Sequence, residues 1–169
     1  IETDVAINDD GSANASGACV FLRMDSYGNG YMVKVERSYL SIYSVTNNFV
    51  NQTELKRVAF STALNYGELY HLKITAVGPL IRAEANGTVA DTTAATLYTN
   101  GAVWLGSAFC KGELQPIIFD KFAVHNLTSD YAEGFTPFSA IDSILGTWGF
   151  NDGFYSQAAN TPEAFALLN

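Results

Sequence analysis

Basic residues are scarce in this chain: nine lysines and arginines stand against seventeen aspartates and glutamates in 169 residues, for a net charge of −8. All nine lie between Arg23 and Lys121. Glu2, Asp4, Asp9, Asp10, Asp130, Glu133, Asp142, Asp152 and Glu163 fall outside that window with no base to offset them. Acidic ends around a near-neutral middle repel phosphate backbones and anionic lipid, which argues against nucleic acid and membrane surfaces as partners. No apolar run approaches the roughly 20 residues that a spanning helix needs. There are two histidines, His71 and His125, and neither has cysteines or acids at a metal-ligand spacing, so zinc is not expected. Gly-x-Ser-x-Gly, a phosphate-cradling glycine loop and a dinucleotide fingerprint are all missing. Nor does any one strand carry two carboxylates at the spacing a retaining glycosidase requires. These absences point to a protein without catalytic machinery.

What remains is β grammar. Leu72, Ile74 and Ala76 alternate with His71, Lys73 and Thr75, and Gly78-Pro79 turns the chain. Ile81, Ala83 and Ala85 then alternate with Arg82 and Glu84 up to Asn86-Gly87. A period of two between such punctuation marks an antiparallel, half-buried hairpin. The same pattern predicts strands over 18–24, 31–36, 39–45, 55–60, 101–106 and 115–125, with a polar loop at Asn47-Asn48 and a Thr/Ala-rich connection over 91–96. Alternation falters at Asp120-Lys121, where a bulge is expected. About eight short strands without crossover helices imply an all-β, two-sheet antiparallel sandwich over 1–128, of a size suited to one core.

The last forty-odd residues, 129–169, read differently. Ala140, Ile141, Ile144 and Leu145 have helical spacing after Ser139, and Thr161-Pro162-Glu163 is a helix start with its cap and first-turn proline. Between them Trp148, Phe150, Phe154 and Tyr155 form an aromatic set too apolar to float free. This tail is expected to contain one or two short helices and to pack on the sandwich or on a partner.

The segments Gly30-Tyr31-Met32-Val33-Lys34-Val35, 70–87, Gly101-Ala102-Val103-Trp104-Leu105-Gly106 and Ile118-Phe119-Asp120-Lys121-Phe122-Ala123-Val124, in that order, resemble the concanavalin A-like, laminin-G-like jelly-roll sandwiches over about 17–126. That superfamily implies a jelly roll and spans lectins, carbohydrate-binding modules, glycosidases, lyases and adhesion domains. Its sandwich lyases carry Gln-x-His and Tyr-x-Lys strands; here only Tyr70-His71, Lys73 and Arg82 come near, and the Gln-x-His is missing. The family often holds calcium in rim loops, and Asp9-Asp10-Gly11, Asp25 with Asn29, and Asn151-Asp152-Gly153 are candidates, each also readable as an ordinary turn. Glu84 beside Arg82 reads as a surface ion pair, and Glu36, Glu54, Glu68 and Glu113 as solvated acids at strand ends or in loops.

Sequons at Asn14, Asn51, Asn86 and Asn126 imply glycosylation. Cys19 and Cys110 form either a disulfide or two buried thiols. With an opening Ile1 and no leader, the chain reads as a processed, secreted protein. Three functions follow. The first is an accessory subunit docking on a larger secreted protein through Trp148, Phe150, Phe154 and Tyr155; size, acidity and sequons are similar to those of the small subunits of heterodimeric fungal laccases. The second is a lectin-like module binding glycan through Tyr39, Tyr43 and Trp104, since pyranose faces stack on exposed rings. The third is a hydrolase or lyase with an atypical site. No cofactor is expected beyond calcium.

Overall fold

A computed structural model describes residues 1–7, 17–107 and 117–125 in full, together with the backbone of residue 108 and of five further strands between 130 and 168. The strands are β1 (Glu2–Ala6), β2 (Gly17–Met24), β3 (Gly30–Glu36), β4 (Tyr39–Thr46), β5 (Asn51–Ala59), β6 (Leu69–Val77), β7 (Leu80–Ala85), β8 (Thr88–Thr92), β9 (Ala102–Ala108) and β10 (Ile118–His125). β11 (Asp130–Ala132), β12 (Ile141–Leu145), β13 (Trp148–Asn151), β14 (Phe154–Gln157) and β15 (Ala164–Leu168) follow. They form two antiparallel sheets. Sheet A runs β13-β14-β10-β1-β6-β7-β8, with β11 also paired to β10, and sheet B runs β12-β15-β9-β2-β3-β4-β5. The fold is the all-β, two-sheet antiparallel sandwich that the alternation predicts, and no helix occurs among the described residues.

The inward faces supply one core. From sheet B come Ala18, Val20 and Leu22, then Tyr31, Val33 and Val35, then Leu40 and Ile42. Sheet A answers with Val5, Leu72, Ile74, Ile81, Ala83, Phe119 and Phe122. Core residues recur at every second position along β2, β3, β4, β6 and β7, so a one-residue slip would turn the whole set outward; this fixes register. Burying each valine, leucine, isoleucine or phenylalanine of this set stabilises by about 2 kcal/mol. The hairpin over 69–85 forms as expected, and Asn86 (φ 46°) with Gly87 (φ 71°) makes the left-handed turn that Asn-Gly favours. The bulge at Asp120-Lys121 is also present: Glu2 and Asp4 of β1 face Ala123 and Asp120 of β10, and Lys121 has φ 52°.

Three expectations need correction. Residues 88–92, running into the supposed connection, form β8, which pairs with β7. β5 begins at Asn51, ahead of the predicted start at 55. The predicted helices are replaced by strands: β12 covers 141–145 and β15 covers 164–168. Five residues are too few for a decisive period, and the open edge of β9 offers β15 a full row of backbone partners, from Ala164↔Ser107 to Leu167↔Trp104. Ser139 and Thr161-Pro162-Glu163, the supposed helix starts, lie outside the described residues.

Candidate functional site

The outward face of sheet B is the chemically richest surface among the described residues. On β4, Leu40 and Ile42 enter the core, so alternation turns Tyr39, Ser41 and Tyr43 outward. Registers place Trp104, Phe21, Met32, Tyr43 and Glu54 side by side across β9, β2, β3, β4 and β5. One step along the strands lies a second row, Gly106, Cys19, Lys34, Ser41 and Arg57. The first row is mainly apolar and aromatic, and the second carries the cations.

Arg57 organises the exposed end of this face. Its guanidinium stacks 4.9 Å from the centroid of the Tyr39 ring. It donates through Nη2 to the Tyr43 hydroxyl at 3.0 Å and through Nε to Ser41 Oγ at 3.3 Å. Glu54 lies 3.2 Å from its Nε, and Glu36 lies 3.5 Å from its Nη2. Lys34 closes the cluster with a 2.7 Å bond to the other oxygen of Glu36. Burial pulls the Lys34 ammonium down, but neighbouring Cys19 and Glu36 more than offset this and hold it above its ordinary value. Gly17 makes room for the lysine stem, since a Cβ there would sit 2.7 Å from Lys34 Cε. Glu36 is therefore not the solvated strand-end acid expected: its side chain is only 12% exposed and faces two cations.

Tyr39, 40% exposed, and half-buried Tyr43 are thus brought together by Arg57. Trp104 is not part of this group. It sits at the far end of the row and packs against Phe49, ring centroids 5.5 Å apart, on a second apolar cluster with Phe21, Met24 and Met32, against which Tyr43 also packs. Arg57 and Ser41, which complete this cluster, carried no signal in the sequence, and Glu54 read there as a solvated acid.

The outward face of sheet A is ionic instead. Asp4 lies 2.9 Å from His71 Nδ1 and accepts from Lys121 Nζ at 2.8 Å. Burial pushes Asp4 up, yet the bonds from Lys121 and His71 prevail and leave it below the ordinary aspartate range. Lys73 pairs with Glu2 at 3.1 Å, so the fragments nearest a lyase set are held by acids. Arg82 and Glu84 form the expected surface pair at 4.0 Å.

The other candidates are placed as follows. Asp25 spends both oxygens on its own turn: Oδ1 accepts from Tyr27 N and Asn29 N, and Oδ2 from Asn29 Nδ2. No group of metal-binding side chains occurs among the described residues. Asp9-Asp10-Gly11 and Asp152-Gly153 lie outside them, as do Asn14, Asn126 and Cys110, while Asn151 ends β13. Asn51 and Asn86 are exposed, and Cys19 is buried on β2. Trp148, Phe150, Phe154 and Tyr155 lie on β13 and β14, which extend sheet A beyond β10.

No protein-family model matches the chain, and no curated protein matches it. Among solved structures, it is similar to the carbohydrate-binding module CBM66 from Bacillus subtilis, with 13% identity and a TM-score of 0.47, over 99% of this chain and 69% of that one.

Proposed function

We propose that this chain is a non-catalytic, secreted carbohydrate-binding sandwich whose ligand lies on the outward face of sheet B against Tyr39, Tyr43, Arg57 and Glu54. The observation that carries this reading is the Arg57 guanidinium stacked on exposed Tyr39 and bonded to the hydroxyl of half-buried Tyr43. Saccharides are recognised by ring faces beside fixed planar donors and acceptors. Arg57, already bonded to Ser41 Oγ and Tyr43, presents those donors without a large ordering cost on binding. The glutamates beside it accept hydrogen bonds from sugar hydroxyls. Exposed Asn51 and Asn86 remain sites for attached glycans under the same reading.

Docking on a larger subunit has less support. Its motive is an apolar tail in need of cover, but β11 and β14 pair with β10, and β15 pairs with β9, in the planes of the chain's own sheets. Nothing in the described fold singles out a laccase subunit as partner.

A glycan array probed with and without calcium tests the proposal. Binding by the parent protein is expected, with Tyr39→Ala and Arg57→Ala each weakening it about tenfold, the scale of one lost stacking or charge-assisted contact. A blank array under both conditions would sink the reading.

A further inference from the structure

Arg23 is misplaced for a residue of its strand. Alternation along β2 sends Val20 and Leu22 inward, which puts Arg23 outward with Cys19 and Phe21. A bulge intervenes: Phe21 faces Trp104 and Met24 faces Ala102, so β2 spends one more residue than β9, and Arg23 takes φ 56°. The side chain is re-aimed across the open end of the sandwich. Its Nη1 donates to Gly78 O at 2.8 Å, on the β6–β7 turn of sheet A, and to Tyr98 O at 3.2 Å. Two glycines grip the bulge. A Cβ on Gly101 would lie 2.5 Å from Arg23 C, and one on Gly30 would lie 2.9 Å from Arg23 O.

This arrangement is costly for stability alone. A non-glycine left-handed residue stores strain, and a cation only 9% exposed has no carboxylate partner among the described residues. With Nη1 committed to two carbonyls, the Nε–Nη2 edge is the part of the fork still lacking an acceptor there. Arg23 lines a depression of about 800 Å³ together with Glu2, Lys73, Thr75, Thr99 and His125. We propose that this depression is a carboxylate-binding site, in which a small organic acid or an acidic sugar presents its planar carboxylate to the Nε–Nη2 edge of Arg23, with Lys73 on the rim. One bidentate edge fits a planar monoanion, and Glu2 on the same rim disfavours dianionic phosphate. The site is separate from the sheet B face and does not rest on the glycan reading.

The test is a titration of the full chain, ¹⁵N-labelled on arginine, with acetate, glucuronate, glucose and inorganic phosphate. A saturable shift of the Arg23 Nε–H resonance is expected with acetate and glucuronate and none with glucose. Acetate binding as tightly as glucuronate identifies a small-acid site; tighter glucuronate identifies an acidic-sugar site. Arg23→Lys keeps the charge but loses the fork and is expected to weaken carboxylate binding, followed by calorimetric titration of both proteins, about tenfold. Should that variant fail to fold, Lys73→Gln, on an exposed side chain, is expected to weaken it about threefold with unchanged melting. No shift with either carboxylate, an equal response to glucose, or binding of phosphate in preference to both overturns the proposal.

Discussion

Asp25 shows how much a single carboxylate can be committed to local structure. Its oxygens bind Tyr27 N, Asn29 N and Asn29 Nδ2 at 2.8, 2.9 and 2.9 Å, beside Gly28 at φ 71°. The Asn29 side-chain bond, then the Asn29 backbone bond, hold Asp25 below its ordinary value of 3.8. A depressed folded-state value stabilises above the unfolded value and loses that contribution as pH falls through the folded one. Asp25→Asn is therefore expected to melt below the parent at pH 7, with the gap closing in the acid range below 3.8; thermal melts across pH measure it. The residue types of this turn were plain in the sequence, but their chemistry was not, because an Asp–Asn pair suits a turn and a cation equally well. Arg57 was hidden for another reason. Strict alternation puts Glu54 and Arg57 on opposite faces, whereas the register shift between Ile42/Tyr43 and Lys56/Glu54 brings both outward within 3.2 Å.

Among the elements, those with strong alternation were legible: the 69–85 hairpin, β2, β3 and β4 all lie within a residue or so of their predicted bounds. β8 was not, since Thr88-Val89-Ala90-Asp91-Thr92 buries only Ala90 and presents no apolar period. The glycines at turns and bulges separate two kinds of demand. Gly87 needs only its left-handed backbone, with nothing within 4 Å of the point where a Cβ would stand, so Gly87→Ala is expected to cost about 1 kcal/mol. Gly101, at φ 142°, would also bring a Cβ to 2.5 Å from both Arg23 C and Met24 O. Gly101→Ala is expected to cost about 3 kcal/mol, since strain and overpacking act together and the neighbours are backbone. Denaturant melts of the two variants decide it; equal losses would contradict the close approach at the Arg23 bulge.

At the scale of the molecule, the segment beyond His125 completes both sheets. β15 stands between β12 and β9 in sheet B, while β11 and β14 cover the side of β10 that faces away from β1. Without that segment β9 and β10 would each present a row of unpaired backbone groups, and an uncovered edge is a template for another chain. The natural edge at β5 is guarded: it is polar and largely exposed, carries Lys56 and Arg57, and is broken by the bulge at its centre. β9 has no such protection, with Val103, Trp104 and Leu105 in sequence. A chain ending at Thr128 is therefore expected to associate with itself or melt well below the parent, whereas a sandwich complete within 1–128 would keep the parent's association state and melting. Light scattering coupled to size exclusion, with thermal melts of both chains, separates the two outcomes. New self-association would mean that the boundary drawn from composition marks a change in pattern only, and that folding of the two sheets waits on their last strands.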